Sequence, residues 1–225
     1  MKILLTGSSR GIGNKIYKYL KKSHEVYSIG RSNNNSKYHF KADLRNIEQL
    51  KLISKKISKL DVIINNAGIS ISSKNEFQNF NDIIATNLNS AFYVSSLFLK
   101  HLKKSKNSSI INVSSINAYQ AFPSNPGYVA SKSGLIGLTR SLALDYGKYN
   151  IRVNSISPGY ISDGMSLKSF KNKQKRLKRS KRTIFNRWGT ANDLFGMIDY
   201  LISNRSSYVT GQDFVIDGGW LAKGL

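Results

Sequence analysis

Six short apolar runs, set between longer amphipathic segments, constrain this chain more than any other feature. Ile3-Leu4-Leu5, Val26-Tyr27-Ser28-Ile29, Val62-Ile63-Ile64, Ile110-Ile111-Asn112-Val113, Val153-Asn154-Ser155-Ile156 and Phe214-Val215-Ile216 read as buried strands. Between them, Ile12 to Lys22, Ile47 to Leu60, Phe80 to Lys103, Tyr128 to Tyr146 and Asp193 to Ser203 carry helical spacing. Strands that alternate with helices predict βαβ units, hence an α/β fold: a doubly wound, mainly parallel sheet with helices on both faces. A further strand is expected near Tyr38 to Ala42, after the short polar loop Asn33-Asn34-Asn35-Ser36. At 225 residues, one domain spanning 1–225 is expected.

Composition removes whole classes of chemistry. The chain has no cysteine, which excludes disulfide scaffolds, thiolate metal sites and cysteine nucleophiles. Its three histidines, His24, His39 and His101, are scattered, so no metal site is expected. The uncharged stretch Asn107 to Ser131 is interrupted by Ser, Asn, Gln and two prolines, unlike a membrane span of about 20 apolar residues. The first strand starts at residue 2 and leaves no room for a secretory signal, so a cytoplasmic protein is expected. The net charge of +23 first suggests nucleic acid or an anionic membrane surface. Nine basic residues fall between Lys168 and Arg182, yet +14 of the +23 lies elsewhere in the chain. The excess is spread out and no groove-reading motif accompanies it, so neither a nucleic-acid nor a membrane partner is expected.

Directly after the first strand comes Thr6-Gly7-Ser8-Ser9-Arg10-Gly11-Ile12-Gly13 at the opening of a helix. Glycines at such a turn let the backbone approach a pyrophosphate, which the positive end of the helix favours. The second strand ends Ile29-Gly30-Arg31 without the acid that would take a ribose 2′-hydroxyl. Arg31 and Arg10 instead suit the 2′-phosphate of NADP(H). Further on, Tyr128 and Lys132 stand one helical turn apart, where the ammonium is expected to lower the phenol's pKa. With 12 tyrosines and 25 lysines about one such pair arises by chance, and Tyr17/Lys21 is another. Ser115 distinguishes the first pair: it lies thirteen residues before Tyr128, at the carboxyl end of an apolar strand, where such sheets bind ligands.

These motifs, in this order, make the chain resemble a single-domain short-chain dehydrogenase/reductase, nearly end to end. The resemblance implies a Rossmann fold and a catalytic set of Asn87, Ser115, Tyr128 and Lys132. It places Thr6, Gly7, Ser9, Arg10, Gly11, Ile12 and Gly13 in the cofactor turn and Asp43 and Leu44 beside the adenine. Asn65-Asn66-Ala67-Gly68 would stabilise the sheet and line the cofactor, and Pro158, Gly159 and Ile161 would hold the nicotinamide. The ending Tyr208-Val209-Thr210-Gly211-Gln212 through Asp217-Gly218-Gly219 is family-like and implies a homodimer or homotetramer.

The implied activity is NADP(H)-dependent reduction of a ketone to a secondary alcohol, or the reverse, most like 3-oxoacyl-carrier-protein reductases. A sugar, polyol or other small-ketone reductase is the alternative, and a non-catalytic NADP(H)-sensing protein is the alternative of another class. Gln120, Phe122 and Tyr160 are candidate pocket residues. Asp163 stands where the family often has a cofactor-binding Thr. A basic substrate lid is expected over about 162–188, with Leu167, Phe170, Gln174 and Leu177 as one stripe of a helix. Such a lid would steer an anionic or carrier-bound substrate, and Lys106 and Lys148 lie where carrier-dependent relatives have basic docking residues.

Overall fold

The computed structural model describes residues 1–32, 36–71, 75–121 and 123–223; Asn33, Asn34, Asn35 and Phe122 lie outside them. Its seven strands are β1 (Lys2–Thr6), β2 (Glu25–Gly30), β3 (His39–Lys41), β4 (Val62–Asn65), β5 (Ser108–Val113), β6 (Ile151–Pro158) and β7 (Asp213–Ile216). They form one sheet in the order β3-β2-β1-β4-β5-β6-β7. Every pairing is parallel. The order reverses between β1 and β4, so the carboxyl ends of these strands open the crevice where such sheets take ligands.

The period of two along each strand divides the core. Leu4, Ile63 and Ile110 face the layer of α2 (Ile47–Lys56), α4 (Ser90–Leu97), α5 (Leu99–Leu102) and α6 (Pro126–Gly147). Ile3, Leu5, Ile64 and Ile111 face α1 (Gly11–Leu20) and α9 (Asn192–Ile202). The remaining helices are α3 (Glu76–Ile84), α7 (Leu167–Lys171) and α8 (Lys173–Arg182). Among the described residues, no helix is long and apolar enough to cross a membrane.

Buried polar groups fasten the layers. Asn65 Nδ2 donates to Asn112 Oδ1 (2.9 Å) and Ser95 Oγ (3.0 Å), and Asn112 Nδ2 donates to Thr139 Oγ1 (2.9 Å). This ladder ties β4 and β5 to α4 and α6. Buried Arg152 donates to the Leu201 and Ser203 carbonyls at the end of α9 and to Asn107 Oδ1 (3.1 Å).

Two segments depart from the sequence expectation. The single helix expected over Phe80 to Lys103 is broken by a π-helical turn at Ala85–Asn89 and again at Phe98, whose φ of −97° and ψ of 5° end α4. The single lid helix is broken at Asn172, where ψ turns to 112° and Oδ1 accepts from the Lys175 N–H as the cap of α8. The stripe Leu167, Phe170, Gln174, Leu177 therefore does not run on one helix. In α8 the inward face is carried by half-buried Arg176, Arg179 and Ser180, while Gln174 and Leu177 are exposed.

Candidate active site

The turn after β1 is shaped by close backbone approach. Gly7 (φ +71°) passes so near Ala67 that a Cβ would stand 2.7 Å from its Cα, and a Cβ on Gly13 would stand 2.1 Å from the Gly7 carbonyl oxygen. Asn66 Nδ2 holds this packing by donating to the carbonyls of Thr6 (3.0 Å) and Gly7 (3.1 Å). Thr6 Oγ1 accepts from the Asn66 and Ala67 N–H groups, both at 3.1 Å. The sequence elements Thr6-Gly7 and Asn66-Ala67 thus form one rigid piece across β1 and β4.

The cradle suits a dinucleotide phosphate. Among the described residues no side chain caps the first turn of α1, so its N–H groups and positive dipole end face the crevice. Ser8 Oγ is buried there without a hydrogen-bond partner, and Ser9 and Arg10 are exposed. Half-buried Ile12 packs on the core beneath. Gly164, at the start of the segment expected as a lid, rests on Gly11: a Cβ on Gly11 would stand 2.7 Å from its Cα. Asp163 therefore sits beside the glycine turn.

At the end of β2, Arg31 is exposed and forms no ion pair among the described residues. An acid does approach it in space. Asp43 feels the Arg31 charge, but its carboxylate is gripped by Arg45 at 2.7 Å, and Arg45 also pairs with Asp82 at 2.9 Å. The Arg45 guanidinium is the first cause holding the Asp43 carboxyl below its ordinary value. The adjacent Leu44 is buried. His39 spans the same corner, its ring nitrogens 2.8 Å from Ser28 Oγ and from the Ser32 carbonyl.

The four candidate catalytic side chains converge at the carboxyl ends of β4 and β5. Ser115 follows β5, its Oγ accepts from the Asn117 N–H (3.2 Å), and its side chain is near enough to Tyr128 to act on the phenol. Tyr128 lies in the first turn of α6, which starts there because Asn125 caps it, accepting from the Tyr128 N–H (3.2 Å), and Pro126 follows. One turn on, buried Lys132 donates from Nζ to the Val113 carbonyl (2.7 Å) and stands 5.7 Å from the Tyr128 ring centroid.

Asn87 sits in the π turn, where Oδ1 accepts from the Ile69 N–H (2.7 Å) and Nδ2 donates to the Ile69 carbonyl (2.9 Å) and Ser131 Oγ (3.1 Å). Gly68 lies between the two groups: a Cβ there would stand 3.4 Å from Asn87 Oδ1 and 3.6 Å from Lys132 Nζ. Asn125, Ser131 and Ser114, whose Oγ donates to the Lys132 carbonyl (2.9 Å), are supports that the sequence reading missed. For Asn125 a signal existed, since Asn-Pro opening a helix is a capping pattern.

The electrostatics correct one expectation. The spacing of Tyr128 and Lys132 predicts a phenol lowered by the ammonium. Instead burial pushes it up, the neighbouring Ser115 side chain opposes this, and nearby Tyr160 adds to the rise. Burial also brings the Lys132 ammonium down to about 8, and among the described residues no carboxylate pairs with it. Both groups are thus biased toward their neutral forms.

Across the crevice, Gly159 hydrogen-bonds from its N–H to the Ile216 carbonyl (2.9 Å) after Pro158 ends β6. Ile161 is buried and bridges to Gly189. A cavity of about 480 Å³ lies elsewhere, between α2, α4 and α5, with Glu48 as well as Lys51, Lys55, Lys100 and Lys103 in its lining. Lys106 and Lys148 are exposed.

Strand order, glycine turn and a Ser-Tyr-Lys grouping define a class of nucleotide-dependent oxidoreductases, and the chain belongs to the short-chain dehydrogenase/reductase family. A family model described as enoyl-(acyl carrier protein) reductase matches residues 15–221. Within the family, similarity points in two directions. The chain is 35% identical to the 2-dehydro-3-deoxy-D-gluconate 5-dehydrogenase of Escherichia coli over 81% of this chain and 75% of that one. It is 32% identical to the 3-oxoacyl-(acyl-carrier-protein) reductase of Rickettsia typhi over 97% and 95%. Two solved structures match in shape. One is a 4-hydroxyisoleucine dehydrogenase complexed with NADH, with TM-score 0.90, 35% identity and complete coverage of both chains. The other is a putative NAD(P)-dependent gluconate 5-dehydrogenase from Beutenbergia cavernae with bound NADP, with TM-score 0.89, 27% identity and 98% and 96% coverage.

Proposed function

We propose that this protein is an NADP(H)-dependent oxidoreductase that interconverts a ketone and a secondary alcohol. The observation that carries the reading is the convergence of Ser115, Tyr128 and, one turn on, Lys132 at the end of β5, beside an uncapped glycine turn. Bound at that turn, the cofactor supplies hydride. Gly7, Ser9, Arg10, Gly11, Ile12 and Gly13 would hold its phosphates, and Asp43 and Leu44 would flank the adenine. Asn66, Ala67, Gly68, Pro158, Gly159 and Ile161 would line the nicotinamide side. Arg31, in no ion pair among the described residues while Arg45 grips Asp43, favours a 2′-phosphate.

The protein's own residues then handle the proton. Ser115 Oγ is placed to hydrogen-bond a substrate oxygen shared with Tyr128. The raised phenol keeps its proton at neutral pH, which is the form that can give it to an incipient alkoxide. The Lys132 donors not directed at Val113 can bind a ribose hydroxyl and stabilise the phenolate left behind. Both amide hydrogens of Asn87 are committed, so a relay water at Gly68 would bind its remaining Oδ1 lone pair.

The relatives support a sugar-acid substrate as well as the 3-oxoacyl substrate ranked first from sequence. Exposed Phe92 and Leu144, on α4 and α6, support a homodimer or homotetramer. The test is NADPH oxidation, with NADH in parallel, against keto sugar acids, keto sugars and acetoacetyl thioesters. Turnover that disappears in Tyr128→Phe while NADPH still binds fits the proposal. A wild-type protein that binds NADPH and turns over no ketone would instead be a cofactor sensor.

A further inference from the structure

The lid carries a feature for which the reaction above has no use. Along α8, Arg176, Arg179 and Arg182 recur every third residue and stack on an aromatic cluster. Arg176 lies 5.4 Å over Phe170, Arg179 lies 4.4 Å over Tyr160 and 5.8 Å over Trp188, and Arg182 lies 4.6 Å over Trp220. The rings pack on one another: Tyr160 is 5.2 Å from Trp188 and 4.7 Å from Trp220, and Phe170 is 5.3 Å from Trp188. Trp188 Nε1 donates to the Arg176 carbonyl (3.0 Å), and Arg179 is held by Ser169 Oγ.

This cluster forms one wall of the catalytic cleft. Tyr160 is close enough to Tyr128 to act on its phenol. Trp220 donates to Gln120 Oε1 (3.0 Å), a few residues beyond Ser115. The lysines of α8 point outward into solvent, whereas Arg176 and Arg179 are half-buried. Among the described residues, no carboxylate pairs with any of the three arginines. An arginine stacked on a ring keeps its in-plane N–H edge available for bidentate binding of a carboxylate.

We infer that Arg179, assisted by Arg182, binds the carboxylate of the substrate and selects a keto or hydroxy acid over its neutral analogue. This assignment rests on the oxidoreductase reading and names the substrate class for it, favouring the sugar-acid direction over the carrier-bound one. Tyr160 and Trp220 would cover the carbon chain between the carboxylate and the carbon facing Tyr128 and Ser115.

The two tryptophans of the chain, Trp188 and Trp220, both lie in the cluster, which gives a readout independent of turnover. Gluconate is titrated into the NADPH-saturated protein, a pairing that cannot react because both partners are reduced, while tryptophan fluorescence is followed, with sorbitol and equal sodium chloride as controls. The expected result is saturable quenching by gluconate alone, with its dissociation constant raised about ten- to a hundredfold in Arg179→Gln and unchanged in Lys178→Gln. In parallel, the kcat/KM ratio for a keto sugar acid over the matching neutral keto sugar should collapse at least tenfold in Arg179→Gln. Equal quenching by sorbitol, an unchanged constant in Arg179→Gln, or a wild type that prefers the neutral ketone or an acetoacetyl carrier thioester overturns the inference. Those outcomes leave the oxidoreductase reading standing. Failure to oxidise NADPH with any ketone removes that reading, while the fluorescence arm still decides whether the wall binds a carboxylate.

Discussion

Gly13→Ala tests whether the turn after β1 and the start of α1 are as tightly joined as described. The new Cβ would stand 2.1 Å from the Gly7 carbonyl oxygen and 2.3 Å from Asn66 Nδ2. Neither neighbour can yield alone, because the first is backbone and the second holds two carbonyls at 3.0 and 3.1 Å. The helix must therefore move by roughly 1 Å, and such overpacking costs about 1–3 kcal/mol. Loss of the two Asn66 bonds adds about 0.5–1.5 kcal/mol each. The better helix propensity of alanine returns about 1 kcal/mol. The net loss is about 3 kcal/mol, or a Tm lower by roughly 6–12 °C for a chain of this size. Gly196→Ala is the matched control: Gly196 lies within α9 with nothing within 4 Å of an added Cβ, so the same change should stabilise by up to about 1 kcal/mol. Urea denaturation measures both, and NADPH fluorescence titration should show cofactor affinity falling at least tenfold in Gly13→Ala only. A Gly13→Ala protein as stable as wild type, with unchanged affinity, would refute the reasoning.

Tyr128→Phe should abolish NADPH oxidation while cofactor affinity changes less than threefold, read by turnover and fluorescence titration side by side. Arg31→Ala should raise the KM for NADPH about ten- to a hundredfold and leave that for NADH unchanged, as expected for a charge-assisted phosphate contact of about 1.5–3 kcal/mol. Lys132, brought down from 10.5 to about 8, binds fewer protons in the folded than in the unfolded chain between those values. Its contribution to stability therefore rises with pH from about 8 to about 10. Lys132→Met should flatten that rise in urea midpoints measured across the same range, and an unchanged slope would remove lysine burial as its cause.

What the sequence showed was mostly local. Strands such as Ile3-Leu4-Leu5 declare themselves because buried parallel strands are continuous apolar runs, and the Gly7-to-Gly13 turn because no other residue type permits its approaches. Pairings made across distance were not legible. Asn65, Asn112 and Thr139 are separated by 47 and 27 residues, and Arg152 reaches the end of α9 nearly fifty residues on. The lid stripe failed for a readable reason: Asn172 competes locally for the Lys175 N–H, a bond that stops α7 and starts α8. Hydrophobicity then misassigned the inward face, because arginines stacked on aromatic rings can occupy positions usually left to leucine. The π turn had no signal, since Ala-Thr-Asn-Leu-Asn suits an α-helix equally well.

That turn also sets what kind of change this segment can absorb. A π turn is an α-helix with one residue too many, and each residue rotates a helix by about 100°. Removing Ala85 or Thr86 would restore a regular helix and swing Asn87 away from Ile69, Ser131 and the gap at Gly68. Substitutions at the outer positions keep the frame intact. In this stretch of the chain, residue count matters more than residue identity, and the asparagine's aim is stored as an insertion.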